Sequence, residues 1–535
     1  MNNLVNLIKK PIFSLLVLLA VFGAVNFWLA TPINTGFGLQ PRFDWPDETA
    51  NYFWIANYAK TGDLAVPEPL NSAAKNQIHP RSFNVRPDGA LVPGSFLGLI
   101  LFYGLLAKIF GLNLIIYPTP FLALFGVLAF FGVIKRIFDQ KVALLAAILM
   151  LFHPAWWYYS AAPMLPNVSF ISFLLISLYF LIKDKDADRL KFGPVFFSAF
   201  FAGLAFSFRP SEFLWLGALY LAIFFWFREK IKIRQVILFL TVVVLAVLPS
   251  VVWQQVLYGD FLASGYSQLQ EGASASNCSV CQLTNSLLLP FGFHPNLIIH
   301  NFWNHYVSRT WWFSLLALLG LAAFLTAKRG QKDEIFGYGL FGLFLMIWLA
   351  IYYGSWQFTD LLTVNLNTLG LSYVRYWLPL FILVLPFAAL ALLWLTSLFR
   401  GRWKTLVLIL LLAGLFYQSA GLVLTAKPDS LLPVRERIAE YENIAGLVNI
   451  LMPPDAVIIA VRKDKVFFPE RKVIHTFNAL SLNQEILGLL PALFEKAPVY
   501  YYALGPEPAL DLGEGLKLEL IKSFEQEILY QVINK

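Results

Sequence analysis

Residues 91–110 read LVPGSFLGLILFYGLLAKIF, and the side of the bilayer that every later segment occupies depends on whether this run crosses the membrane. A spanning helix needs about 20 mostly apolar residues, and the run stands at that limit. Eleven other apolar runs lie near 12–30, 113–134, 142–161, 165–182, 194–208, 212–227, 236–254, 310–327, 335–353, 376–397 and 405–426. The composition agrees with a chain that resides mainly in lipid. Of 535 residues, 58% are hydrophobic and 13% charged, against roughly 25% charged in an ordinary soluble domain. The mean hydropathy is +0.65. Three or four soluble domains, which length alone would suggest, are excluded.

Positive charge resolves the run at 91–110, because cytoplasmic connectors of membrane proteins are enriched in Lys and Arg. The connectors at 9–10, 135–141, 183–191, 228–234, 328–332 and 400–404 carry 19 Lys and Arg between them. The alternate connectors at 162–165, 209–211, 255–309 and 354–375 carry only Arg209, Arg309 and Arg375. With the basic set in the cytoplasm, the parity gives eleven spans, an N-terminus inside and residues 427–535 outside, provided that 91–110 does not cross. That run is then an interfacial or partly buried helix of an outer loop, 31–112. Lys9-Lys10 before an apolar run has the shape of a signal peptide, but no small-x-small cleavage site follows, so an uncleaved anchor is expected.

The last 109 residues hold 12 Lys/Arg and 15 Asp/Glu, the charge density of a soluble domain. The expected fold is therefore an all-α polytopic membrane bundle over 1–426, with a small extracytoplasmic α/β domain over 427–535. The formal net charge of +8 records orientation, and no nucleic-acid partner follows from it. Outer loops as long as 31–112 and 255–309 are usually functional or folded in their own right, so chemistry is expected on that face.

The first outer loop contains PDETANYFWIANYAKTGDLAVPEPL at 46–70. Asp44 is suited to cap a helix, Pro46 to its first turn and Gly62 to its end. Asp47 and Glu48 then fall in the first turn, where the helix dipole favours ionised carboxylates. Tyr52, Ile55, Ala56 and Ala59 recur at helical spacing, as for a helix lying along the interface. Two helix-starting acids are common, so on these residues alone a structural role and a functional one stand about even.

Taken with the apolar stretch at 91–111, which ends in Phe110-Gly111, this loop resembles the first outer loop of the type C glycosyltransferases. It is most similar to the dolichyl-phosphate-mannose protein mannosyltransferase and aminoarabinose transferase superfamily. The matching residues are Asp47, Glu48, Tyr52, Gly62-Asp63, Pro67 and Phe110-Gly111, over about 80 residues of the chain. The resemblance implies a polyprenyl-phosphate-linked sugar donor, transfer to a lipid, glycan or protein acceptor on the outer face, Asp47 as catalytic base and Glu48 as its orienting neighbour. Aminoarabinose transferases carry a further Asp at the outer start of a later span. In this chain SAAPMLPNVSF at 160–170 has Pro166 and Asn167 there, and neither a cofactor nor a divalent metal is predicted.

A lipid phosphate at the outer surface needs positive charge. Arg209 in GLAFSFRPSEF and Arg375 in LSYVRYWLPL are the outer cations nearest the bilayer, with pairing between Arg209 and Glu212 as the structural alternative. His79, Arg81 and Arg86 in HPRSFNVRPDG are further candidates, although a solvated loop suits them as well. Tyr258, Asp260 and Tyr266 in YGDFLASGY stand as candidates for the acceptor side. His153 falls within an apolar span, where a neutral, hydrogen-bonded ring in an aromatic belt is as good a reading as a functional one. Cys278 and Cys281 form a CxxC pair compatible with a disulfide, or less well with a zinc site completed by His294, His300 or His305. The tail alternates helical stretches near 433–451 and 483–495 with strand-like AVIIAVR, KVIH, PVYYYAL and KLELIKSF. Two rival functions remain on the sequence alone: a lipid-linked glycan ligase or polymerase of the same fold, and a lipid or polysaccharide transporter. The near absence of charge inside the spans disfavours the transporter.

Overall fold

The computed structural model describes residues 11–33, 36–187, 189–268, 289–326, 333–357, 368–506, 512 and 515–535. They gather into two units. The first comprises Met1–Ala30, Tyr117–Leu248 and Ser274–Pro433, and the second Thr31–Ile116, Pro249–Ala273 and Val434–Lys535.

Over their described residues the eleven apolar runs lie mostly on helices. Among the described residues six helices are long and apolar enough to cross a membrane, or up to nine when each bent pair counts as one span. The three bends have a common cause. Gln140–Phe152 meets Pro154–Ser160 at 60°, Phe192–Phe208 meets Pro210–Trp226 at 113°, and Ser372–Leu383 meets Leu385–Ser397 at 51°. A proline, namely Pro154, Pro210 or Pro386, stands in the first two positions of the second member each time, and its ring denies the preceding turn both a hydrogen bond and space. Pro166–Ile182 is a shorter apolar helix of 17 residues.

Without a hydrophobic drive between helices in lipid, close packing holds such bundles together. Gly320, on Trp311–Thr326, shows how close: a Cβ there would stand 1.7 Å from the carbonyl oxygen of Phe387. The basic connectors of this unit converge. Arg136 Nε donates to the carbonyl of Lys183 at 3.2 Å, Lys185 Nζ to that of Arg136 at 2.6 Å, and Lys230 Nζ to that of Lys185 at 2.6 Å. Lys185 also pairs with Glu334 at 3.1 Å. Three connectors that the charge pattern assigns to one side thus lie at one end of the bundle. The helix Phe192–Phe208 (17 residues) carries Arg209 about 25 Å away from that end, at 1.5 Å per residue.

In the second unit the helix Leu97–Phe110 has 14 residues, about 21 Å of rise. That is short of the ~30 Å hydrocarbon core. It packs against Pro46–Thr61. Between them in sequence lies a two-stranded hairpin, β1 (Phe83–Val85) and β2 (Leu91–Pro93), paired antiparallel. The C-terminal residues form a five-stranded sheet of β3 (Val457–Val461), β4 (Lys472–Thr476), β5 (Val499–Ala503), β6 (Leu516–Phe524) and β7 (Glu527–Asn534). Its order is β4-β3-β5-β7-β6, parallel over β4-β3-β5 and antiparallel beyond. Strand β7 lies beyond the strands read from the sequence, and the helix expected near 483–495 is two short pieces, Gln484–Leu487 and Leu490–Phe494. The sheet core includes Ala74 and Ile78 of the first outer loop beside Val457, Ile459, Ile474 and Tyr501, and His79 bridges to Ile474 in parallel register.

Candidate active site

The helix Pro46–Thr61 begins with Pro46 and ends at Gly62 in the left-handed conformation, φ 78°. Its N-cap is Trp45, whose side chain makes no capping bond, so Asp44 does not cap it as the sequence suggested. Asp44 is instead bound by Arg437 Nε at 2.9 Å and Nη2 at 2.8 Å, with Lys465 also on it. Two cations in trans outbid one local N–H for a carboxylate. Burial alone would raise the Asp44 carboxyl, but Lys465 and Arg437 hold it below the usual carboxylate value.

Asp47 and Glu48 occupy the first turn. Glu48 is buried and Asp47 half-buried. Asp47 Oδ1 accepts a hydrogen bond of 2.6 Å from Ser82 Oγ. One turn on, Tyr52 is buried against the ring of Phe43, with centroids 5.4 Å apart. Burial raises its phenol above the ordinary value.

The other loop candidates are anchored in the same unit. Arg81 donates to Asp464 from its backbone N–H and its Nε, each at 2.8 Å, and from Nη2 to the carbonyl of Arg462 at 2.8 Å. The Asp464 side chain is fully buried. Burial works to raise its carboxyl, and Arg81, helped by His475, holds it below the usual value. His79 stacks edge-on to His475 at 5.1 Å. Burial and the neighbouring imidazole push His79 down to about 4, and burial likewise lowers His475. Arg86 pairs with Asp88 at 2.8 Å on the surface. Tyr258 donates its hydroxyl to the carbonyl of Pro93 at 2.6 Å, and Tyr266 packs on Phe96 at 4.8 Å. Tyr258 thereby fastens to the β1–β2 hairpin, and Tyr266 to the residue that precedes the helix Leu97–Phe110. Asp260 caps its own turn through Leu262 N at 2.9 Å.

The first unit holds the remaining two candidates in one buried cluster. Arg209 pairs with Glu212 at 2.9 Å and donates to the Tyr353 hydroxyl at 2.8 Å. Tyr353 and Trp215 both donate to Glu212, Trp215 at 2.6 Å. The guanidinium carbons of Arg209 and Arg375 lie 4.9 and 5.3 Å from the ring centroid of Tyr376. Arg209, Glu212 and Arg375 are all buried, and together they carry one net positive charge. Trp215 also lines an apolar cavity of about 570 Å³, walled by Phe130, Leu175, Phe341 and Ile382 and bordered by Lys185 and Glu334.

His153 sits at the first bend, buried between Phe313 and Phe381 at 4.6 Å from each. Neither ring nitrogen has a hydrogen-bond partner among the described residues, contrary to the hydrogen-bonded ring expected. Cys278 and Cys281 lie outside the described residues, among which no three His, Cys, Asp or Glu side chains gather as a metal site. Sequence reasoning missed Ser82, Tyr353, Tyr376 and Asp464. Their contacts reach far along the chain, 383 positions in the case of Arg81 and Asp464, and no local pattern marks them.

Residues 97–253 match the sequence profile of the family described as dolichyl-phosphate-mannose-protein mannosyltransferase. That range covers less than a third of the chain and does not include Asp47. No curated protein matches the sequence significantly. Among solved structures, ArnT from Cupriavidus metallidurans in the apo state is similar at a TM-score of 0.58 and 11% identity, over 98% of each chain. The same protein bound to undecaprenyl phosphate gives a TM-score of 0.52 and 11% identity over 96% of this chain and 97% of that one. The Archaeoglobus fulgidus oligosaccharyltransferase in the apo form gives 0.48 and 12% over 93% and 70%. An apolar helical bundle with an acid-bearing loop and a C-terminal sheet, over 98% of each chain, gives this integral membrane protein the fold of ArnT.

Proposed function

We propose that the chain transfers a sugar from a polyprenyl-phosphate-linked donor to an acceptor on the extracytoplasmic face, with inversion at the anomeric carbon and Asp47 as general base. The observation that carries this reading is the Asp47 carboxylate, half-buried at a helix N-terminus and held at 2.6 Å by Ser82. Asp47 takes the proton of the acceptor hydroxyl as that oxygen bonds to the anomeric carbon. The bond from that carbon to the phosphate oxygen breaks, and polyprenyl phosphate leaves as an anion. Such a leaving group needs little acid help, so one aimed carboxylate suffices where glycoside hydrolysis uses two. Glu48, its neighbour, orients donor or acceptor.

Three further observations support the reading. The Arg209–Glu212–Arg375 cluster has the single net positive charge that complements a phosphodiester. The apolar cavity of about 570 Å³ offers room for part of a polyprenyl chain, and ArnT has been solved with undecaprenyl phosphate. The convergence of Arg136, Lys185 and Lys230 supports a cytoplasmic N-terminus under the positive-inside rule.

The test uses the full-length protein in detergent with a panel of synthetic polyprenyl-phosphate hexoses and pentoses, and membrane extract as acceptor. Release of polyprenyl phosphate is measured for the wild type and for Asp47→Asn. The expected outcome is turnover of at least one donor and a loss of at least a thousandfold in the variant, with an unchanged elution profile. No turnover of any donor, or a variant as fast as the wild type, overturns the proposal.

A further inference from the structure

Ser82 has φ 63°, a left-handed conformation that is unfavourable for a residue with a side chain and that glycine adopts freely. A strained residue persists only where its surroundings over-determine it, and Ser82 is held from both sides. On its N-terminal side Arg81 is clamped by backbone and side chain to Asp464, itself fully buried at the start of Asp464–Phe467. On its C-terminal side the Ser82 carbonyl accepts from Gly94 N–H at 3.1 Å, and a Cβ on Gly94 would stand 2.5 Å from that oxygen. Phe468, just after the Asp464 turn, packs its ring 4.9 Å from Phe53 and 5.0 Å from Phe83, which ties that turn to the helix bearing Asp47. The outcome of all these restraints is one side-chain contact, Ser82 Oγ to Asp47 Oδ1 at 2.6 Å.

We propose that Ser82 is a positioning residue for the Asp47 carboxylate, set in its strained conformation by the C-terminal domain through the Arg81–Asp464 clamp. The proposal rests on the reading of Asp47 as the base. A carboxylate has about four acceptor positions, so one donor fixes its rotamer and leaves it able to take a proton. Alignment of a reacting group is worth orders of magnitude in rate. The C-terminal domain thereby acquires a role in catalysis while contributing no reacting atom.

Ser82→Gly separates this role from a structural one, because glycine relaxes the backbone and removes only the donor. In the full-length protein, with the panel donor that the wild type turns over, kcat is expected to fall about 10- to 100-fold, the range of a hydrogen bond to a charged group. The donor KM and thermal midpoint are expected to hold. The acid limb of the pH–rate profile is expected to move about one pH unit towards neutral, because the lost bond favoured the ionised carboxylate. Asp464→Asn is expected to move the same limb in the same direction. Wild-type kcat and an unmoved limb in Ser82→Gly, with Asp47→Asn inactive, overturn the positioning role and leave the base assignment standing. Activity in Asp47→Asn overturns both.

Discussion

Acidification should loosen the edge of the C-terminal sheet through its histidines. His79 stands at about 4 in the folded chain against 6.5 unfolded, so between those values the unfolded state binds the extra proton and stability falls with pH. The full displacement corresponds to about 3 kcal/mol, reached below pH 4. By pH 5.5 the loss is about 1 kcal/mol, and by pH 4.5 about 2–3 kcal/mol. His475, also lowered by burial, acts in the same direction. Asp44 and Asp464 act in the same direction but at lower pH, because their folded values lie below 3.8. Their stabilisation persists down to about that pH and is lost only beneath it, so the window from 6.5 to 4 belongs to the histidines. The assay is hydrogen exchange of the β4 amides in the full-length protein, with the intrinsic pH dependence divided out. Protection should fall about tenfold at pH 5.5 and somewhat under a hundredfold at pH 4.5, and His79→Gln should flatten most of this slope. Superimposable profiles for wild type and variant, or protection that rises on acidification, would refute the reasoning.

Two further outcomes are expected beside those of Asp47→Asn and Ser82→Gly. Gly320→Ala should cost about 1–3 kcal/mol, because the new methyl meets the Phe387 carbonyl in a packed helix pair; a lowered melting midpoint in detergent checks it. Glu212→Gln removes the carboxylate that pairs with the buried Arg209, with a destabilisation of about 3 kcal/mol. Added undecaprenyl phosphate should recover more of that midpoint in the variant than it adds to the wild type, and an equal shift in both would count against phosphate binding there.

Local features of the fold were legible. Pro46 and Gly62 bound their helix because proline and glycine act through their own dihedrals, and apolar runs mark the spans because lipid reads composition directly. The site was legible only in part. Asp47 and Glu48 stand out as paired acids in a short motif, and Glu212 was visible as a local partner of Arg209. Ser82 was not, because its importance lies in a dihedral angle and in a carboxylate 35 positions away. Asp44 misled for the related reason that capping is a local expectation, while Arg437 and Lys465 approach it from the far end of the chain. Nor does any pattern around Ala74 and Ile78 announce that they complete a sheet core built mostly from residues beyond 456.

That shared core has a consequence for biogenesis. Ala74, Ile78 and His79 leave the ribosome early, while β3, β4 and β5 are among the last segments made. At typical elongation rates of about 5–20 residues per second, the loop waits on the order of 20–80 s for its partners. Throughout that interval its apolar side chains have no sheet to enter, and a chain that stops short of residue 457 never supplies one. Completion of synthesis is thus a precondition for burying part of the first loop, and prematurely ended chains should present that loop to the quality-control proteases that clear unassembled membrane proteins.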